Sequence, residues 1–326
     1  MSFKLFYEGN TYALEDNKSV LDTLLDQGID IPHSCKSGVC QSCLVEVVSG
    51  TPGQASQTGL KATYKAKNYA MACCLYAQDD LAIRRLSAKE SAVTASIVKI
   101  EALNHNVLRL CVKLGEPFDV IPGQYLTLIT AEGLARSYSI ANLPAVDGYI
   151  ELHIRVLDNG RLSSWLLNQA RPWMEVQLRG PAGECFYVAD DDGSKDFPMV
   201  LAGTSTGLAP LYGIVRDALY QGHQGSIDLF HGALQAEDLY LMDDLQALSQ
   251  QYEQFSYIPC VLKGIEGDFY TVGDIQQLVT DHIADKKDAH VYLCGAPELV
   301  NSLKTKIFLA GIASKHIYHD AFLPSK

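Results

Sequence analysis

The sequence has 326 residues, enough for two or three domains. Its 48% hydrophobic and 20% charged residues give an ordinary globular balance, and a formal charge of −12 argues against a polyanionic partner such as nucleic acid. No stretch approaches the roughly 18 apolar residues of a membrane span, and Met1–Leu5 shows neither a long apolar run nor a cleavage-like site. Nine cysteines without an export signal indicate a reducing compartment, so the expectation is a cytoplasmic protein with no membrane partner.

In chain order, Lys4–Glu8 and Thr11–Leu14 read as two short strands around Gly9-Asn10. Ser19 then caps a predicted helix in which Val20, Leu21, Leu24 and Leu25 recur at helical spacing. Asp22 lies in its first turn, where an acid suits the dipole, and Gly28 ends it. Next comes Pro32-His33-Ser34-Cys35-Lys36-Ser37-Gly38-Val39-Cys40-Gln41-Ser42-Cys43, with cysteines at C-x4-C-x2-C. Cys73 follows Cys43 after 29 residues, the spacing of a plant-type [2Fe–2S] site. Such a cluster needs four thiolates around two irons, and the small residues Ser34, Ser37, Gly38 and Ser42 allow a tight wrap. Zinc is the alternative occupant, although its structural sites usually show two C-x2-C-like pairs, and Cys74 competes with Cys73 as the fourth ligand. Leu44–Val48 reads as a strand, the stretch to Gly59 as polar and Gly-containing, and Leu75–Arg84 as a closing strand.

This segment resembles plant-type ferredoxin domains, with a β-grasp fold over about the first 86 residues. In that family the last ligand follows an apolar-Ala pair, as Met71-Ala72 does here. The resemblance therefore implies Cys35, Cys40, Cys43 and Cys73 as the cluster ligands.

Ser87–Ala92 reads as a linker. Ala95–Glu101, Val107–Val112, Tyr125–Thr130, Tyr149–Val156 and Met174–Leu178 then read as strands of a barrel or sandwich. Two motifs lie among them, Arg136-Ser137-Tyr138-Ser139 and Gly160-Arg161-Leu162-Ser163. An arginine beside a small polar turn can pair with a diphosphate, and a tyrosine can cover a flat ring. A Gly-x-x-Ser that opens a helix presents backbone N–H groups to an anion. Each motif alone is equally consistent with a surface arginine or an ordinary cap.

Taken together, in this order, the motifs resemble the six-stranded antiparallel flavin-binding barrel of the ferredoxin-NADP reductase superfamily, expected over residues 92–192. The resemblance implies Arg136 and Ser137 beside FAD, with Arg136 on the diphosphate, Tyr138 against the cofactor and Ser139 near the flavin nitrogen that accepts hydride. It implies Gly160, Leu162 and Ser163 at the phosphates, and His153 and Arg155 on a bordering strand, where both are equally consistent with ordinary strand residues. Phe322, four residues from the C-terminus, is a candidate flavin cover or a surface-packed aromatic.

After an acidic loop at Ala189–Asp196, Met199–Gly203 reads as a buried strand, Thr204–Pro210 as a small-residue loop and Leu211–Tyr220 as a helix. Strand, loop and helix in that order place a phosphate at a helix N-terminus. Strands at Ile227–Phe230 and Val291–Leu293, with helical patterns in Leu239–Leu248 and Gly273–His282, predict a parallel sheet covered on both faces. The loop is similar to the G-T-G-T-G-x-x-P type of the same superfamily, which implies Gly203, Thr204, Thr206 and Gly207 at the nicotinamide nucleotide. Ser205 stands at a family glycine, so its Cβ bears on the loop's fine geometry. Cys294-Gly295-Ala296-Pro297 matches the family's C-G-x-P-like turn, implying Cys294 and Gly295 near the nicotinamide. A buried apolar cysteine is the plainer reading.

A 2′-phosphate wants Arg or Lys near the end of the second strand of this unit, and His231–Asp238 offers neither but carries two acids. That predicts NADH rather than NADPH. The order of modules over the whole chain, with the nucleotide domain at 193–326, resembles the reductase components of multicomponent oxygenases. The same order occurs in the reductase serving a deoxysugar dehydrase. The resemblance implies an electron relay from NADH through FAD to the cluster, with Ser139 and Cys294 positioning and polarising the hydride-transfer site, and then on to a terminal oxygenase or its small ferredoxin. Residues 1–90 hold 9 Lys+Arg against 10 Asp+Glu, and the remainder 17 against 28, so a partner at the cluster domain would dock without strong charge steering. With no long apolar repeat left over, a monomer is expected.

Overall fold

The computed structural model describes residues 3–15, 17–29, 31, 36, 38, 43–60, 62–86, 93–115, 118–265, 267 and 269–322. The chain divides into two units, residues 1–89 and 90–326. The predicted linker at 87–92 lies outside the described residues.

In the first unit, β1 (Phe3–Tyr7) and β2 (Asn10–Leu14) form a hairpin. Its turn residues are Glu8 and Gly9, both at positive φ, so the turn sits one residue earlier than Gly9-Asn10. Positive φ at both central residues is the geometry that matches strand twist in a two-residue hairpin. Helix α1 (Val20–Asp26) begins as the sequence predicts: Ser19 Oγ accepts from the Asp22 N–H at 3.1 Å, and Gly28 follows the helix at φ +74°. Val20, Leu21 and Leu24 are fully buried, each side chain worth roughly 1.5–3 kcal/mol of apolar burial.

β3 (Leu44–Ser49) is followed by two short helices, α2 (Gln54–Gln57) and α3 (Ala62–Ala66), where the sequence suggests only a polar stretch. β4 (Tyr69–Met71) then leads into a 3-10 turn at Ala72–Cys74. The closing strand β5 starts at Leu81, not Leu75, and runs to Arg85. Leu75 is apolar because it is buried beside α1, where its carbonyl accepts from Val20 N at 2.9 Å. The sheet order is β2-β1-β5-β3-β4, with β1 and β5 parallel and the other pairs antiparallel, a β-grasp arrangement.

The second unit opens with an antiparallel sheet of six strands: β6 (Val93–Ala102), β7 (Val107–Leu114), β8 (Tyr125–Ile129), β9 (Ala135–Ser139), β10 (Ile150–Arg155) and β11 (Glu175–Ala182). A short helix α4 (Pro144–Asp147) precedes β10, and α5 (Arg161–Asn168) follows it. The strand order is β10-β7-β6-β11-β8-β9. An antiparallel bridge between Ile140 and Leu152 joins the end of β9 to β10 and closes the barrel. Leu110, Leu126, Leu128 and Leu178 fill its interior. The Arg-Ser-Tyr-Ser motif is therefore a strand, not a turn.

A parallel sheet completes this unit, in the order β15-β14-β13-β12-β16-β17. Its strands are β12 (Met199–Thr204), β13 (Ile227–Ala233), β14 (Phe255–Val261), β15 (Thr271–Val272), β16 (His290–Gly295) and β17 (Ile317–Ala321). Its helices are α6 (Leu208–Tyr220), α7 (Met242–Gln251), α8 (Ile275–His282) and α9 (Pro297–Leu309). One core joins α6 and α7 to the sheet through Leu211, Ile214 and Leu245. A second joins α8 and α9 through Val279, Val300 and Leu303, so both faces are covered as the sequence predicts. Gly213 of α6 allows close approach to the barrel: a Cβ there would lie 2.7 Å from the Ile140 carbonyl oxygen. Among the described residues, no helix is long and apolar enough to cross a membrane.

Candidate functional site

In the first unit, Cys35 and Cys40 lie outside the described residues. Cys43 and Cys73 are both buried, and the Ala72 N–H donates to the Cys43 carbonyl at 3.0 Å, which ties the 3-10 turn to the cysteine loop. The Cys73 and Cys74 sulfurs are 3.7 Å apart. Gly38 sits at φ +76°, and a Cβ there would come within 2.9 Å of Cys74 Sγ. The backbone bond from the turn to Cys43 and the tight approach of Gly38 to Cys74 join loop and turn, and thiols from both segments fit an iron–sulfur cluster. Lys36 Nζ pairs with Asp22 at 3.0 Å, which offsets the only charge in the loop's motif.

In the second unit, β9 carries Arg136, Ser137, Tyr138 and Ser139. Ser137 is exposed and meets Thr127 across the sheet, Oγ to Oγ1 at 3.1 Å. Arg136 Nη1 donates to the Ala135 carbonyl, and Tyr138 is half-buried, its phenol held protonated by burial. Ser139, at the end of β9, is buried. Gly160 caps α5, where a Cβ would lie 2.4 Å from Ser163 Oγ. That hydroxyl donates to the Gly160 carbonyl at 3.0 Å and accepts from Leu157 N at 3.3 Å, which ties the first turn of α5 to the end of the preceding loop. Leu162 belongs to the barrel core.

His153 is buried with both ring nitrogens engaged, Nε2 to Glu151 at 2.8 Å and Nδ1 to Tyr240 Oη at 3.2 Å. It joins the barrel to the nucleotide-binding part. Arg155, at the exposed end of the same strand, lines a cavity of about 390 Å³ together with Thr204, Ser205, Gly232, Leu234 and Asp238. The cavity lies at the C-terminal ends of β12, β13 and β14, where doubly wound folds bind nucleotides. Cys260, Asp274 and Gln276 also line it. Sequence reasoning missed these three because β14 and the start of α8 carry no phosphate-loop signal.

The loop after β12 is held by two glycines. A Cβ on Gly203 would meet the Cys294 carbonyl oxygen at 2.9 Å, and one on Gly207 would meet it at 2.4 Å. Thr204 and Thr206 are partly exposed between them. Ser205 adopts φ +52°, the left-handed conformation that a glycine takes without cost.

At the sheet's far edge, Cys294 pairs in register with Asp320, and Gly295, at φ +126°, accepts from the Phe322 N–H at 2.8 Å. Phe322 is partly exposed. Cys294 is fully buried, its thiol pushed upward by burial and by Cys185, whose sulfur is 3.7 Å away. Ser139 Oγ lies 3.5 Å from Asp320 Oδ2. Burial pushes the Asp320 carboxyl up to about 6, against the lowering effect of Ser139. The fold thus gathers Ser139, Cys294, Gly295 and Phe322, and adds Asp320, which carries no motif of its own.

Three family descriptions match the chain in order: "2Fe-2S iron-sulfur cluster binding domain" over residues 5–78, "Oxidoreductase FAD-binding domain" over 94–187, and "Oxidoreductase NAD-binding domain" over 199–305. The chain is 32% identical over 312 residues to the ferredoxin–NAD(P)+ reductase component of a naphthalene 1,2-dioxygenase system from Pseudomonas putida, covering 94% of each chain. It is 29% identical to phenol hydroxylase P5 protein from Acinetobacter pittii, over 99% of this chain and 95% of that one. Among solved structures, the Amycolatopsis cytochrome P450 reductase GcoB superposes with a TM-score of 0.69 at 27% identity, covering 99% of each chain. The glycine cradle, the buried thiols and the Ser139–Asp320–Cys294 junction fit FAD, NAD(H) and a [2Fe–2S] cluster. The chain belongs to the ferredoxin–NAD(P)+ reductase family in which a 2Fe-2S domain precedes FAD- and NAD-binding domains, and it is an NAD(P)-dependent oxidoreductase.

Proposed function

We propose that this chain is the NADH-dependent reductase of an oxygenase system, delivering electrons through its cluster to a terminal oxygenase or a small ferredoxin. The observation that carries the reading is the junction of barrel and nucleotide sheet, where Ser139 meets Asp320 beside Cys294. When bound, FAD accepts electrons in pairs and returns them singly, which links a hydride donor to a one-electron cluster. Ser139 and Asp320 hold a proton between them at the point where the hydride acceptor would lie. Arg136 and the α5 backbone would hold the diphosphate, and Tyr138 would lie against the cofactor. Gly203 and Gly207 keep the loop low enough for Thr204 and Thr206 to face the nucleotide.

The NADH assignment rests on the segment 231–238 at the end of β13, although Arg155 also lines the cavity. Leu234 and Asp238 line it, Glu237 is adjacent, and the segment 231–238 has no cation for a 2′-phosphate. A kcat/KM for NADH well above that for NADPH supports the assignment, and the reverse ratio overturns it.

Oxygenase partners are supported by the naphthalene dioxygenase and phenol hydroxylase relatives. A second reading has support too: a CDP-6-deoxy-L-threo-D-glycero-4-hexulose-3-dehydrase reductase from Yersinia pestis is 29% identical over 100% of this chain. Single-turnover electron transfer from the reduced protein to each class of purified partner separates the two. The near-neutral first unit predicts a rate with shallow salt dependence, and a monomer is the expected state in solution.

A further inference from the structure

We propose that Asp190, His290 and His316 form a binding site for one divalent transition-metal ion of the zinc type. The site is remote from the nucleotide cavity. His290 is the first residue of β16, and His316 immediately precedes β17, so both lie at the N-terminal ends of parallel strands whose C-terminal ends serve the nucleotide. Asp190 comes from the loop between β11 and β12, which carries the chain from the barrel into the parallel sheet.

The central observation is His290. It is 1% exposed, and among the described residues neither Nδ1 nor Nε2 has a hydrogen-bond partner. A buried polar group left unpaired costs about 1–3 kcal/mol, so it wants a ligand. Asp190 Oδ1 is 4.0 Å from Nε2, beyond hydrogen-bond length. One candidate ligand atom from each of Asp190, His290 and His316 lies within 4.8 Å of the others. Phe197 stacks on His290 with ring centroids 3.8 Å apart, which fixes the imidazole plane. The His316 ring lies near it at 4.2 Å, tilted by 37°.

Two imidazoles and one carboxylate suit zinc, nickel or copper, with water completing the shell. Metal–nitrogen bonds of about 2.0–2.1 Å put tetrahedral ligand atoms roughly 3.4 Å apart. Reaching that spacing needs His316 to turn and Asp190 to close in, and both are partly exposed. Lys315, next to His316 in sequence, pairs with the neighbouring Asp191 at 3.2 Å. Asp190 Oδ1 also accepts from the Asp191 N–H at 2.8 Å, which orients the carboxylate without consuming it. A bound ion would clamp the 189–196 loop to the rear of the sheet and stabilise the unit by mass action.

The test uses the holoprotein, with flavin and cluster in place, washed with chelator and dialysed against equimolar zinc. Zinc and iron are counted in the same sample by mass spectrometry, so that zinc entering cysteine sites shows as lost iron. The expected result is one zinc per flavin with iron unchanged, and loss of the stoichiometric zinc in Asp190→Asn and in His316→Gln. Both variants should keep the wild-type rate of flavin reduction by NADH and the wild-type melting temperature in chelator. Absence of stoichiometric zinc, retention of it in both variants, or zinc gained only as iron is lost would each overturn the proposal.

Discussion

Ser139 and Asp320, 181 residues apart in sequence, meet through a 3.5 Å contact from Oγ to Oδ2 at the junction of the barrel and the parallel sheet. Asp320 is placed there by β17, whose register sets it against Cys294. Because burial raises its folded pKa to about 6, above the ordinary carboxylate value of about 3.9, the folded state favours the protonated acid. Its contribution to stability is therefore full below about pH 4 and is lost as pH rises through 6. Asp320→Asn, which stays neutral, should gain about 2–3 kcal/mol over wild type at pH 8 and remove that segment of the pH–stability curve. Thermal melts across pH 4–8 check this, and an unchanged slope in the variant would place the titration elsewhere.

Ser205 holds a left-handed backbone at φ +52° in the nucleotide loop. A non-glycine residue there costs roughly 1–2 kcal/mol. Ser205→Gly should raise the melting temperature and lower KM for NADH with little change in kcat, whereas Ser205→Val should do the opposite. Steady-state kinetics and a melt on both variants give the answer; a Gly variant with weaker NADH binding would mean that the hydroxyl itself contacts the nucleotide.

Cys73 and Cys74 offer two thiols on one turn, 3.7 Å apart. Cys73→Ser should abolish the cluster or change its spectrum, while Cys74→Ser should keep two irons per chain. Iron and acid-labile sulfide analysis distinguishes them. A cluster that survives only in the Cys73 variant would transfer the fourth-ligand role to Cys74. In the otherwise wild-type chain Gly38→Ala should lower cluster content, since its Cβ would meet Cys74 Sγ at 2.9 Å.

Arg216 of α6 grips Asp147 of α4 with two 2.9 Å hydrogen bonds, and Asn142 and the Leu143 N–H also donate to that carboxylate. Burial alone would raise its pKa, but Arg216 and the other donors hold it below the usual carboxylate range. Stability from this pair is present above about pH 4 and is lost as pH falls through the depressed value. Asp147→Ala leaves Arg216 partly buried and unpaired, a loss of about 3 kcal/mol, and should slow flavin reduction by loosening the seam between barrel and nucleotide sheet. Melting at pH 7 and stopped-flow reduction are the readouts.

Much of this was legible in the sequence because local chemistry decides it. Ser19 caps α1 through its own hydroxyl, and the cysteine spacing marks the cluster loop without any knowledge of the fold. β9 was hidden because its residues are polar and its ladder runs along β8, with only the Ile140–Leu152 bridge toward β10, so it lacks the apolar alternation of a core strand. Asp320 was hidden for a different reason: a single acid near the C-terminus acquires meaning only when β17 lies beside β16. The sequence leaves His153 equally open as a flavin neighbour or a satisfied strand residue, because the partners that take its two nitrogens, Glu151 on the same strand and Tyr240 just before α7, are brought together only by the fold. The strain at Ser205 was half visible, since a glycine was missing where the loop needs one, but its sign required the backbone angle.

The most direct measurement of the central claim is an anaerobic NADH titration of the purified protein, followed by visible absorbance and low-temperature EPR. The account predicts flavin bleaching together with a rhombic signal from a reduced [2Fe–2S] cluster. Flavin bleaching with no cluster signal, or a cluster and flavin that dithionite reduces but NADH does not, would contradict it.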